Sequence, residues 1–300
     1  MSLSIKAAAE LIRAGQLVAF PTETVYGLGA NALDAAAVEK IYQLKGRPPS
    51  SPLIVHASSI EMARTLVSDW PRRAEELARR YWPGPLTLVL PKAPAIPSIV
   101  TAGLPTVGVR IPSHPTALKL IEEAALPIAA PSANRFGGLS PTTAEHVRRA
   151  FGDAVEILDG GPTEVGIEST VVSLADGKLT LLRPGMISFG GIESAPAPSD
   201  SAHPAPGMHA RHYSPCTRLL LVEGPTQLPG WHGAYVWRKT PGLASRTLRM
   251  PDQPAEYAER LYSVLHELDH ERWPWIAVEA PPDTPEWSAI LDRLRRAAAK

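Results

Sequence analysis

The sequence predicts an α/β protein made of one large domain followed by a smaller one of the same class. Three observations carry this reading. From residue 5 to about 185, short apolar runs alternate with helical patterns. Between Gly190 and Pro215 the apolar periodicity gives way to a stretch rich in Pro, Ser and Ala, the signature of a linker. Beyond it the alternation resumes. The expected division is residues 1–190, a linker over 191–216 and a small domain over 217–300, which suits a chain of 300 residues.

In chain order, helical spacing places helices over 5–14, 35–44, 60–67, 72–81, 115–124 and 142–150. Strands are expected over 17–20, 86–90, 107–111, 127–130, 155–158, 171–174 and 179–182. After the linker, 218–222, 234–237 and 275–278 read as strands, and 255–268 and 287–299 as amphipathic helices. Asp34 is placed to cap the helix that starts at Ala35, and Gly46 to end it in the left-handed conformation. Trp273 and Trp275 are expected to pack the small domain's core.

Lys and Arg total 30 and Asp and Glu total 30, so the formal charge is zero and bulk attraction to nucleic acid is not expected. The single cysteine, Cys216, excludes an internal disulfide and fits a reducing compartment, so a cytoplasmic location is expected. The first residues lack the pattern of an export signal, and no apolar stretch approaches the roughly 20 residues that span a bilayer.

The chemistry-bearing residues gather where predicted strands end. The strand ending at Phe20 runs into Pro21-Thr22-Glu23-Thr24, at the position where open α/β sheets bind ligands. Gly27, Gly29 and Ala32 match dinucleotide spacing, but the strand ends several residues earlier and no acidic residue lies near position 50, which argues against a Rossmann turn. Lys45 and Arg47 flank Gly46 in a loop stiffened by Pro48. Two residues apart in an extended segment, they could converge on a polyphosphate, or they could only stabilise a helix C-terminus. Strand alternation sets Arg110 beside Gly108 on a face opposite Val107, Val109 and Ile111, where it could grip a carboxylate or make a structural salt bridge.

Ser132 and Asn134 follow the strand 127–130, and Ser140 opens the next helix, as a phosphate contact or a simple cap. Glu168, Ser169 and Thr170 precede another apolar run, and Arg183 closes a further strand. His203, His209 and His212 lie in the linker without carboxylate or cysteine company, so no metal site is expected there, and a lone His56 reads as structural.

Taken in order, the segments 20–31, 45–48, 52–56, 82–87, 109–112, 130–134 and 140–142 closely resemble the YrdC-like threonylcarbamoyl-AMP synthase family over about residues 5–190. The stretch 205–215, ending His212-Tyr213-Ser-Pro215, resembles the linker of that family's two-domain long form. The resemblance implies a twisted mixed sheet with a large concave cavity and a small Rossmann-like C-terminal domain. It implies that threonine is N-carboxylated with bicarbonate and that the carbamate attacks the α-phosphate of ATP, releasing pyrophosphate, for threonylcarbamoyladenosine modification of tRNA.

Carried over position by position, the resemblance puts Thr24, His56, Arg110, Ala130 and Thr170 around threonine. It puts Lys45, Arg47, Ser51, Thr106, Ser132, Asn134, Ser140 and Arg183 around ATP, with Tyr213 folding back as a lid. At Ser51 the family often has asparagine, and at Ala205 serine is usual. Adenylyl transfer needs alignment and charge neutralisation more than a strong base, which suits cations and hydroxyls. Mg2+ is expected with ATP, held by phosphate and water, with no organic cofactor. The expected partners are ATP, threonine, bicarbonate and a downstream tRNA-modifying machinery. A non-catalytic RNA-binding module is disfavoured by the zero charge, and carbamoyl transfer for hydrogenase maturation by the absence of zinc-finger cysteines.

Overall fold

The computed structural model describes residues 3–190, 192–194 and 212–299. The larger unit begins with α1 (Ile5–Arg13), β1 (Val18–Phe20), β2 (Gly27–Asn31), α2 (Ala35–Lys45), β3 (Ile54–His56), α3 (Ile60–Thr65), α4 (Arg72–Tyr81), β4 (Leu86–Pro91) and β5 (Thr106–Arg110). It continues with α5 (Pro115–Ala124), β6 (Ile128–Ala129), α6 (Ala144–Phe151), β7 (Glu156–Ile157), β8 (Thr170–Ser173), β9 (Thr180–Arg183) and β10 (Glu193–Ser194). Ten strands form one mixed sheet in the order β10-β9-β8-β4-β5-β3-β6-β2-β1-β7.

The smaller unit contains β11 (Leu219–Val222), β12 (Ala234–Trp237), β13 (Arg246–Arg249), α7 (Pro254–His270), β14 (Ile276–Glu279) and α8 (Ser288–Ala298). Its sheet is parallel throughout, in the order β11-β14-β12-β13. The large mixed sheet followed by a small parallel one is the architecture expected from the sequence. The large sheet reaches three residues past Gly191, into the segment read as linker.

The local signals act as their chemistry requires. Asp34 Oδ1 accepts the N–H groups of Ala36 and Ala37 at 2.9 and 3.2 Å, and Gly46 ends α2 with φ 64°. At α6 the cap is Thr143, whose Oγ1 accepts the N–H of His146. Ser140 stays outside the helix, and its hydroxyl donates to Glu168 instead. Strand β2 was not foreseen, because Gly-Leu-Gly-Ala-Asn carries no β-branched residue. It forms because the Phe20 ring and Ile128 fill the space beside Gly29, where a Cβ would lie 2.7 Å from Phe20 Cε1.

The two units share an apolar core. Val25, Leu139, Ile167 and Tyr213 of the first unit and linker pack with Tyr257, Leu261 and Leu294 of the second. Gly166 makes that approach possible: its φ is +76°, and a Cβ there would stand 2.4 Å from the carbonyl oxygen of Ala258 in α7. Polar contacts follow the same seam. Thr142 Oγ1 lies 3.0 Å from Ser263 Oγ, and the His146 and His266 rings stack at 3.9 Å.

Candidate active site

The sheet register builds the site. Parallel pairing of β3 with β5 sets His56 directly opposite Arg110, and Gly27 pairs with Phe20 while bridging to Ser132. Chain segments leaving these strands therefore face one cavity. As alternation required, Val107 and Val109 face the core while Gly108 and Arg110 lie on the other side. The space beside Gly108 is filled by Thr87 and Ile54 rather than left open, so Arg110 extends past a packed wall.

In the cavity wall, Arg110 Nη2 forms a buried ion pair with Glu23 Oε1 at 2.7 Å. Its Nη1 donates to Thr24 Oγ1 at 3.0 Å and its Nε to Gly84 O at 3.3 Å. Thr22 Oγ1 spends its one proton on Val25 O, 2.7 Å away, so across the 2.8 Å contact Thr24 must donate to Thr22. The orientation of the Thr24 hydroxyl is thereby fixed. Glu23 Oε2 accepts the N–H of Ser113, completing a seat in which both guanidinium and hydroxyl are held before any ligand arrives.

The same cavity is also lined by two further buried cations, Arg47 and Arg183. Arg47 donates from Nε to Ser51 O at 3.1 Å and from Nη2 to Pro52 O at 2.8 Å. Arg183 donates from Nε and Nη2 to Ser169 O at 3.1 and 3.0 Å. Burial pulls the Arg47 guanidinium down to about 10, and burial followed by the neighbouring Arg47 pulls Lys45 well below the ordinary lysine value. Cations desolvated in this way, with mainly carbonyls for company, are stabilised by a bound anion.

Lys45 and Arg47 do not converge. The left-handed turn at Gly46 breaks the extended geometry, so Arg47 enters the cavity while Lys45 Nζ donates to Ser132 O at 2.6 Å and to Asn134 O. Lys45 thus braces the turn that carries the cavity wall. His56 is buried, and burial followed by the Arg110 charge lowers its imidazole to about 3, so it is neutral at pH 7. Its Nδ1 has no hydrogen-bond partner among the described residues.

Eight of the residues singled out from the sequence line this cavity: Thr24, Arg47, His56, Arg110, Ala130, Ser132, Arg183 and Tyr213. The rest stand outside its wall. Thr170 exchanges hydrogen bonds with Ile187, and Ser51 is buried beside Arg47 with its carbonyl accepting from Tyr42. Asn134 donates to Arg135 O and Gly138 O, and Ser140 Oγ donates to Glu168. Thr106 begins β5 and Arg110 ends it, about 13 Å away at strand rise. Thr22, Glu168, Ser169 and His212 line the cavity although the sequence did not single them out as ligand contacts. Thr22, Glu168 and Ser169 belong to the same strand-end clusters as their chosen neighbours, which was the available signal.

Tyr213 forms part of the cavity wall. It is 1% exposed, and its ring lies 4.2 Å from that of His212 and 5.1 Å from the Arg293 guanidinium. With the ring in place the cavity is about 50 Å³, room for a few water molecules. The end of the linker is pinned by Ser214 N–H to Gly137 O at 2.9 Å and by Ser214 Oγ to Ala297 O at 3.3 Å. His203 and His209 lie outside the described residues. Among the described residues no group of three or more His, Cys, Asp or Glu is placed to hold a metal ion, and no helix is long and apolar enough to cross a membrane.

Two family models match the chain. One, described as "Telomere recombination" and named for Sua5, YciO and YrdC, covers residues 10–185. The other, "Threonylcarbamoyl-AMP synthase, C-terminal domain", covers 180–299. The chain is similar to threonylcarbamoyl-AMP synthase of Pyrococcus abyssi (strain GE5 / Orsay), with 43% identity over 98% of this chain and 94% of that protein. It is equally similar to that of Bacillus subtilis (strain 168), with 43% identity over 98% of this chain and 92% of the other. The crystal structure of P. abyssi Sua5 complexed with L-threonine superposes with a TM-score of 0.92, covering 98% of this chain and 94% of that one.

Proposed function

The chain belongs to the Sua5, YciO and YrdC family in its two-domain form, and from that premise we propose that it condenses L-threonine, bicarbonate and ATP into threonylcarbamoyl-AMP, pyrophosphate and water. One observation carries the reading. A preformed seat for a carboxylate, Arg110 held by Glu23 and Thr24, and two desolvated cations, Arg47 and Arg183, line a single buried cavity. The likeness to a threonine-bound structure over nearly the whole chain supports it.

In this reading the remaining N–H groups of Arg110 hold the threonine carboxylate, and Thr24, whose proton is committed to Thr22, orients the guanidinium as an acceptor. Glu23 keeps the guanidinium in plane, as a preformed orientation requires. Neutral His56 offers Nδ1 to the amino group. The amine condenses with bicarbonate to a carbamate, releasing water. A carbamate oxygen then attacks the α-phosphorus of ATP, and the bond to the bridging oxygen breaks to release pyrophosphate. Arg47 and Arg183, the desolvated cations of the same cavity, would meet the charge that develops on the leaving pyrophosphate, and their stabilisation would grow toward the transition state.

The residues fit a magnesium that arrives with the nucleotide better than one bound by the protein. Glu23 and Glu168, the acidic side chains at the cavity, are each held by a guanidinium, leaving phosphate oxygens and water as the metal's ligands. Mg2+ would screen the triphosphate charge. The adenylate would be consumed by a transferase that modifies tRNA, and a cytoplasmic location belongs to the same proposal.

The test is pyrophosphate release by purified protein with ATP, Mg2+, bicarbonate and threonine, each omitted in turn. Release is expected only in the complete mixture, and release unaffected by omission of threonine would reject the reading.

A further inference from the structure

We propose that Arg293, from α8 of the small domain, is a positioning residue of the cavity: it neutralises Glu168 and holds that carboxylate on Ser140, so that a polyphosphate can enter a pocket whose wall otherwise carries buried negative charge. The inference rests on the reading of this cavity as the nucleotide site.

Glu168 lines the cavity on the loop before β8 and is 7% exposed. Its carboxylate has three partners. Arg293 Nε donates to Oε2 at 2.7 Å, Tyr262 Oη donates to Oε2 at 3.2 Å, and Ser140 Oγ donates to Oε1. Burial pushes the Glu168 carboxyl up, but Arg293 and then Arg183 outweigh it and hold the group below the usual carboxylate value, so it is ionised at neutral pH.

Arg293 is 1% exposed and the largest of the fully buried side chains. It sits where the two units meet, its guanidinium against the Tyr213 ring at 5.1 Å and its Nη1 on Asp292 at 2.8 Å. The rest of the seam is an apolar cluster crossed by a few contacts such as Thr142 with Ser263, and well-packed apolar residues stabilise such a seam as well as an ion pair does. Stability alone therefore does not account for the charge. Its position does: Glu168 stands on the same wall as Arg47 and Arg183, and an unneutralised carboxylate there would oppose the negative phosphates those cations are placed to meet. The small domain thus sets the charge of a site made by the large one.

The test is a mutant cycle read by ATP binding in calorimetry and by KM for ATP and for threonine in pyrophosphate release. Arg293→Met is expected to weaken ATP by tenfold or more and to change the threonine KM by less than threefold. Adding Glu168→Gln, which keeps acceptors for Ser140 and Tyr262, is expected to restore most of the ATP affinity. Glu168→Gln alone leaves Arg293 unopposed and is expected to tighten ATP several-fold. A double variant no better than Arg293→Met, or equal loss for both substrates, overturns the proposal.

If Arg293→Met fails to fold, Arg293→Lys keeps the charge and decides with Glu168→Gln. Lysine is expected to hold ATP affinity within about threefold of the natural protein, and a tenfold loss with lysine, or weaker ATP binding by Glu168→Gln, overturns it. If the natural protein binds ATP but releases no pyrophosphate, the proposed reaction fails while the binding cycle still judges Arg293.

Discussion

Replacing Arg110 by alanine tests the threonine seat, but the structure shows that the substitution does two things at once. Arg110 and Glu23 form an ion pair in which both side chains are 4% exposed. Removing one member of such a pair leaves an uncompensated buried charge and costs about 3–5 kcal/mol, a large part of the 5–15 kcal/mol that holds an ordinary domain together. Arg110→Ala is therefore expected to lose about 3–5 kcal/mol in urea denaturation. Glu23→Ala with Arg110→Ala should recover at least half of that loss, because no charge is then stranded. Threonine use follows a different rule. If Arg110 grips the carboxylate, both variants lose threonine-dependent pyrophosphate release, and the stabilised double variant is no better than the single. The assays are chemical denaturation and threonine KM on the same preparations. A double variant that regains threonine use would refute the assignment of Arg110. A single variant that loses less than about 1 kcal/mol would refute the account of the pair as desolvated.

Three further outcomes follow from the geometry. An unfolded histidine takes its proton near pH 6.5, but His56 in the fold does so only near 3. The unfolded chain therefore binds more protons between those values: stability should be constant above pH 6.5 and fall below it, by about 2 kcal/mol at pH 5 from His56 alone. The stacked His146 and His266, lowered to about 3 and about 4 chiefly by burial, act with the same sign. Denaturation midpoints that do not move between pH 7 and 5 would reject this. Tyr213→Ala should raise the rate of ATP entry several-fold in stopped-flow binding, and an unchanged rate would show that the ring is no barrier. Gly166→Ala should destabilise the protein by roughly 2–5 kcal/mol, the sum of a left-handed alanine and a clash with α7, whereas a thermal melt that matches the natural protein would contradict that packing.

Much of the fold was legible because it rests on local chemistry. Helices α4 and α5 begin and end where periodicity places them, and Asp34 and Gly46 bound α2 as their side-chain and backbone properties require. What was not legible depends on partners distant in sequence. Strand β2 needs Phe20 and Ile128 to cover its glycines, and the edge strand β13, Arg-Thr-Leu-Arg, is recruited only by β12 beside it. The candidate site divides in the same way. Hydroxyls and cations at strand ends could be picked out one by one, but the pairing of His56 with Arg110 could not, because it depends on β3 lying parallel to β5, a neighbour distant in sequence. The sequence allows Lys45 two readings that exclude each other, since a left-handed Gly46 breaks the extended segment; the left-handed turn is the one that forms, and Lys45 turns onto Ser132 O and Asn134 O. The tie from Ser140 through Glu168 to Arg293 could not be read either, because 125 positions separate the last two and only the docking of α7 and α8 brings them together.

The Tyr213 ring in the cavity wall makes the protein its own first ligand. A substrate too large for the roughly 50 Å³ cavity would have to move an aromatic side chain that is 1% exposed and already packed against Tyr262 and Arg293. The measured dissociation constant is then the intrinsic one divided by the open fraction of the population. A substitution that loosens the ring would tighten substrate binding without touching a substrate contact, and one that strengthens its packing would look like a damaged active site while leaving every contact intact. Affinity in this chain is therefore tunable from the seam between its two domains as well as from the pocket.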